Sequence, residues 1–165
     1  MRIPMRKTLL LLALGIVSLS SALPAAESAE KRKAVARRVF DEIFNQGRFE
    51  VADEIYAKDF VNHGVTRDIG LKEDQDAARG WRSAFPDLKM KVDRMLVDGE
   101  FVTVIWSGEG TNTGEGNGLP ATGKKLKGRG ITIWRISGGK IREEWSEFDQ
   151  LQILQQLGLM PLPPQ

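Results

Sequence analysis

The apolar residues of this chain keep two rhythms, and the changeover falls at Pro86. Before it they recur at helical spacing; after it they recur at every second residue, which is the spacing of strands. Ala34, Val35, Val39, Phe40, Ile43 and Phe44 share one face of a helix predicted over Glu30–Asn45. Gly47 supplies its stop, because glycine accepts the left-handed conformation at a helix end. A short helix over Val51–Ala57 turns Val51, Ala52, Ile55 and Tyr56 inward, and Asp59–Gly64 reads as extended. A third helix, Lys72–Ala84, carries Ala77, Ala78, Trp81 and Ala84. Pro86 disfavours helical geometry at Phe85 and closes it.

Beyond that point Met90, Val92, Arg94 and Leu96 alternate with Lys91, Asp93, Met95 and Val97, and Asp98-Gly99 makes a hairpin turn. Further strands are predicted over Phe101–Gly108, Leu126–Ile136 and Lys140–Phe148, with a glycine-rich connection Gly108–Gly123 and a turn at Gly138-Gly139. Asp149, with Gln152 three residues on, caps a last helix reaching about Leu157. Helices first and a meander afterward predict an α+β domain: a cone-shaped, curved antiparallel sheet packed against N-terminal helices. A chain of 165 residues suits one such domain.

At the N-terminus, Arg2, Arg6 and Lys7 precede an apolar run, Leu9–Leu19, and then come the small residues Ser20, Ser21, Ala22, Ala25 and Ala26. This is the pattern of a cleaved signal peptide, assigned to 1–26. The run is too short to cross a hydrocarbon core of roughly 30 Å. The expectation is a domain over 27–158 and a Pro-rich tail over 159–165, periplasmic or secreted, with no membrane contact after cleavage. Having no cysteine, the domain must rely on its core, without disulfides. The chain holds 24 Lys+Arg against 22 Asp+Glu. Removing Arg2, Arg6 and Lys7 leaves 21 against 22, so the mature protein is nearly neutral and no nucleic-acid partner is expected. One histidine and no cysteine give no zinc-type metal cluster. The glycine-rich stretch lacks the lysine and hydroxyl ending of a phosphate loop, and it joins strand to strand.

Five segments then acquire a common meaning. They are Val39–Gly47, Asp59-Phe60-Val61-Asn62-His63, Phe85-Pro86-Asp87-Leu88, Gly110-Thr111-Asn112-Thr113-Gly114, and Gly139–Trp145 running on to Asp149-Gln150-Leu151 and Gln155-Gln156-Leu157-Gly158. In that order they resemble the SnoaL-like polyketide cyclases and ester cyclases, which have the nuclear-transport-factor-two-like fold. The resemblance implies an intramolecular aldol ring closure on an apolar or aromatic carbonyl compound, without a cofactor, and a homodimer. It also implies an active asparagine, which falls on Asn62. The family's glutamine and histidine fall on Gly130 and Thr132, and its aspartate falls on Ser146, so those three positions depart from the pattern.

Other residues are therefore candidates for the chemistry. His63, the only histidine, adjoins Asn62 and can act near neutral pH; it can equally be structural. Glu144 lies two residues before Ser146 and shares its strand face. Buried there, its carboxyl would have a raised pKa suited to a base. Catalytic candidates are thus His63, Glu144 and Asn62. Trp134, Ser146, Thr132, Trp106 and Trp81 are candidate substrate contacts, and Trp145 is a fourth tryptophan that could reach a pocket. Small residues at Gly130 and Thr132 are expected to widen the cavity. The readings left open are a small lyase or isomerase, an exported non-catalytic small-molecule-binding protein, and an interaction module that uses the sheet.

Overall fold

A computed structural model describes residues 28–162. The expected signal peptide and the end of the tail lie outside them. Helix α1, Ala29–Arg38, begins at Ser28, whose hydroxyl accepts from the Lys31 N–H. It runs directly into a π-helical turn, Val39–Phe44, that buries Val39, Phe40 and Ile43. The helix predicted over Glu30–Asn45 is therefore present but changes its winding halfway, a feature frequent at functional sites.

Helix α2 spans Val51–Ile55 and gives way at Tyr56 to strand β1, Tyr56–Asn62. A two-residue strand β2, Ile69–Gly70, leads into α3, Leu71–Ala84. The meander follows as β3 (Lys89–Asp98), β4 (Phe101–Thr111), β5 (Lys125–Ser137) and β6 (Lys140–Phe148). Helix α4, Gln150–Gln156, closes the domain, with the Asp149 carboxylate accepting from the Gln152 N–H at 2.9 Å.

The six strands lie in the order β2-β1-β6-β5-β4-β3. The α+β expectation holds, but the sheet is mixed rather than antiparallel, because β1 runs parallel to β6. No hairpin joins these two strands. Parallel neighbours need a long crossover, and α3 with the rest of the meander supplies it.

A second departure sits in β3. A bulge between Val92 and Arg94 shifts the register against β4, so Met95 and Val97 pair with Val104 and Val102. The bulge turns Arg94 and Leu96 outward, which removes the charged residue that plain alternation had placed beside Met90 and Val92.

The main core joins Phe40, Ile43, Ile55, Val104, Trp134 and Ile141 between helices and sheet. A second cluster, including Phe85, Leu119, Leu126, Ile153 and Leu157, lies under α4 and the glycine-rich connection. That connection is strapped down by Asn112, which is fully buried. Its amide donates to the carbonyls of Ala84 and Gly114, at 3.1 and 3.0 Å, and its oxygen accepts from the Thr122 N–H and hydroxyl. Gly116 lies so close to the Gly80 carbonyl that no side chain fits between them.

Candidate active site

The concave face of β4–β6, the π-turn and α3 enclose a cavity of about 320 Å³. Its walls are largely aromatic: Phe40, Phe44, Trp81, Trp106, Trp134 and Phe148 all line it. Trp134 is held edge-on against Phe40, with ring centres 5.7 Å apart. Among the described residues, two acidic side chains, Asp74 and Glu144, enter this apolar space, and no Lys, Arg or His does.

Glu144 comes from β6 and is 9% exposed. The Trp134 indole N–H donates to its Oε2 at 2.7 Å. Burial pushes the carboxyl up to about 8; the nearby Asp74 charge adds to the push and the indole bond opposes it. A buried carboxyl prefers its neutral form because removing the charge from water is costly. At neutral pH Glu144 is thus a carboxylic acid that can donate a hydrogen bond.

Asp74 stands in the first turn of α3. The Asn62 amide donates to its Oδ1 at 2.8 Å and the Gln75 amide to its Oδ2 at 3.1 Å. Burial raises its pKa, and these two donors act against the rise. Burial raises the pKa of the Tyr56 phenol, and its acidic neighbours Asp74 and Glu144 add to the rise. Tyr56 and Asn62 complete this end of the cavity.

The other end is built from hydroxyls. The Trp106 N–H donates to Thr132 Oγ1 at 3.1 Å, and the Thr132 and Ser146 hydroxyls are 2.7 Å apart. Neither bond involves a base, so this pair can orient a ligand oxygen but cannot take up a proton at neutral pH.

The structure therefore brings together Asn62, Glu144, Trp81, Trp106, Thr132, Trp134 and Ser146 around one space. It places His63 elsewhere. The imidazole stacks on Trp145, centres 4.6 Å apart, and its Nε2 meets Glu143 Oε2 at 3.0 Å. Glu143 in turn accepts from Arg135 at 2.6 Å. All of these side chains lie on the outer face of the sheet, because residues adjacent along an extended chain point to opposite faces. His63 and Trp145 are thus correctly read as neighbours of Asn62 and Glu144 in sequence but stand across the sheet from them.

Gly130 also differs from expectation. The Trp106 ring lies directly over it, and any Cβ there would meet that ring and the Glu147 carbonyl. The space released by a small residue is filled by tryptophan, so the cavity is not widened at this point. Asp74 was not singled out from the sequence, although a signal existed. It shares a helix face with Ala77, Ala78 and Trp81, an acid in an otherwise apolar stripe.

The family model for SnoaL-like polyketide cyclase matches residues 34–157. The chain belongs to this family. No curated protein matches it. Among solved structures, the SnoaL-like chain is similar to AclR of Streptomyces galilaeus, provisionally a hydroxylase. The two are 23% identical with a TM-score of 0.75, over 83% of this chain and 87% of that one. A provisional polyketide cyclase from Bacillus cereus is 28% identical with a TM-score of 0.69, over 80% and 83% of the two chains. A provisional SnoaL-like polyketide cyclase from Jannaschia is 20% identical, with a TM-score of 0.73 over 82% and 98%. A shared scaffold does not fix the reaction, so activity must be argued from the site. In this SnoaL-like chain the cavity carboxyls among the described residues are Asp74 and Glu144.

Proposed function

We propose that the protein is a SnoaL-like lyase or isomerase that performs acid/base chemistry on an apolar carbonyl compound, of the intramolecular aldol type and calling for no cofactor. One observation carries the reading: the Glu144 carboxyl is buried in an aromatic cavity that pushes it up to about 8. A proton donor of that strength, placed in a largely apolar cavity, stabilises negative charge as it develops on a carbonyl oxygen. Asn62, Thr132 and Ser146 supply neutral polar contacts, and the tryptophans supply flat apolar walls. The test is turnover of aromatic keto-esters by the wild type and by Glu144→Gln. Loss of turnover with an unchanged circular dichroism spectrum supports the reading; undiminished turnover would sink it.

A second reading, an exported small-molecule carrier, is favoured by the Thr132–Ser146 hydroxyl pair, which can hold a ligand oxygen but supplies no acid or base at that end of the cavity. Under it Trp134→Ala weakens binding, and native mass spectrometry of the exported protein finds a retained ligand. Export itself is tested by N-terminal sequencing of the mature protein, which begins near residue 27 if the signal peptide is cut. A homodimer is supported by Leu96, Phe101, Ile105 and Ile131, large apolar side chains exposed on the outer face of the sheet. Light scattering of the purified protein checks it.

A further inference from the structure

Resting on that catalytic reading, we propose that Asp74 and Glu144 work as a one-proton pair on a neutral, enolisable carbonyl compound, Asp74 as base and Glu144 as acid. Two acids that share a low-dielectric space do not both ionise. Which of them holds the charge follows from the donors around them. Asp74 receives one N–H on each oxygen, from Asn62 and Gln75, while Glu144 receives a single N–H on Oε2. The charge therefore rests on Asp74 and the proton on Glu144. Among the described residues, the titratable groups facing the pair reduce to the Tyr56 phenol from β1, since no basic side chain of theirs lines the cavity.

The steps balance. The α-C–H bond of the substrate breaks, its proton passes to Asp74, and its electron pair forms the enol double bond. The Glu144 O–H breaks and its proton passes to the carbonyl oxygen. When the enol carbon attacks a second carbonyl, that oxygen takes the proton from Asp74, and the enol O–H returns its proton to Glu144. Both carboxyls are restored, and no oxidant or reductant is consumed. The same inventory sets the substrate's charge. With two acids and no cation among the described residues of the walls, an anionic ligand meets repulsion that a neutral ester or ketone does not.

The test is deuterium incorporation from D2O into α-tetralone, a neutral aromatic ketone, followed by NMR above the buffer background. The wild type is expected to accelerate exchange. Asp74→Asn and Glu144→Gln are each expected to reduce it by about 100-fold or more, with α-tetralone still quenching tryptophan fluorescence. Asp74→Glu is expected to recover part of the rate. Removing the Asp74 charge also moves the alkaline limb of the pH–rate profile to lower pH, a change that mere damage to packing does not produce. Exchange at the wild-type rate in Asp74→Asn, with loss in Glu144→Gln, overturns the pair and leaves the role of Glu144 standing. Exchange absent from the wild type while the ketone binds overturns the pair together with the catalytic reading. Equal binding of naphthylacetic acid and its methyl ester at neutral pH overturns the assignment of a neutral substrate.

Discussion

Replacing Glu144 with glutamine should make the protein more stable, by an amount that depends on pH. In the unfolded chain this carboxyl ionises near its ordinary value of 4.5; in the fold it holds its proton up to about 8. Between those values the folded state binds more protons than the unfolded one, so stability falls as pH rises. Glu144 imposes no such cost below about pH 4.5. Through the window each pH unit costs the fold about 1.4 kcal/mol. The loss reaches about 3 kcal/mol at neutrality and levels off near about 5 kcal/mol above the folded value. Glutamine has nearly the same shape, keeps an acceptor for the Trp134 N–H and does not titrate. Urea unfolding followed by tryptophan fluorescence measures the difference at mildly acidic, neutral and alkaline pH, with the slope m checking that the unfolded state is unchanged. The expected gain is close to zero in acid and grows to several kcal/mol in base. A gain independent of pH, or a loss at every pH, would refute the claim that Glu144 is buried at the expense of its charge. Because the same variant is expected to lose activity, the result would also place stability and function in opposition at one side chain.

Three further substitutions probe the frame around that carboxyl. Trp134→Phe keeps most of the ring but removes the N–H that holds Glu144 down, so the alkaline limb of a pH–rate profile should move upward. Gly130→Ala forces a methyl group against Trp106 and the Glu147 carbonyl, and should cost about 1–3 kcal/mol in thermal unfolding. Asn112→Ala strips partners from the Ala84 and Gly114 carbonyls and from Thr122. It should cost at least about 2 kcal/mol by urea titration.

Much of the architecture was legible because long periodic segments carry their own signal. The residues of β6 that alternate between faces put Glu144 and Ser146 on one side, and the structure agrees. Where reading failed, it failed at local exceptions to a period or at contacts between distant segments. The extra residue in β3 cannot be seen in a run where Arg94 and Leu96 alternate as well as Met95 and Val97 do. The parallel pairing of β1 with β6 joins residues about eighty positions apart. His63 was attached to Asn62 by adjacency, yet in a strand adjacency separates side chains. Asp74 hid for the opposite reason: helical spacing groups it with Trp81, but an acid in the first turn of a helix is also what the helix dipole favours on its own.

The contact between Trp106 and Gly130 makes these two positions a single unit of inheritance. A larger residue at 130 has no room while the indole lies across it, and a smaller residue at 106 leaves an unfilled space while 130 remains glycine. Either change alone passes through a less stable protein; made together they relieve the clash with the ring, while the Glu147 carbonyl still has to shift to admit a Cβ. A lineage that enlarges residue 130 must therefore spend stability held elsewhere in the fold, whichever of the two positions changes first. The same holds for any laboratory attempt to place a side chain at position 130. Both Trp106 and the Glu147 backbone have to yield before Gly130 can be rewritten.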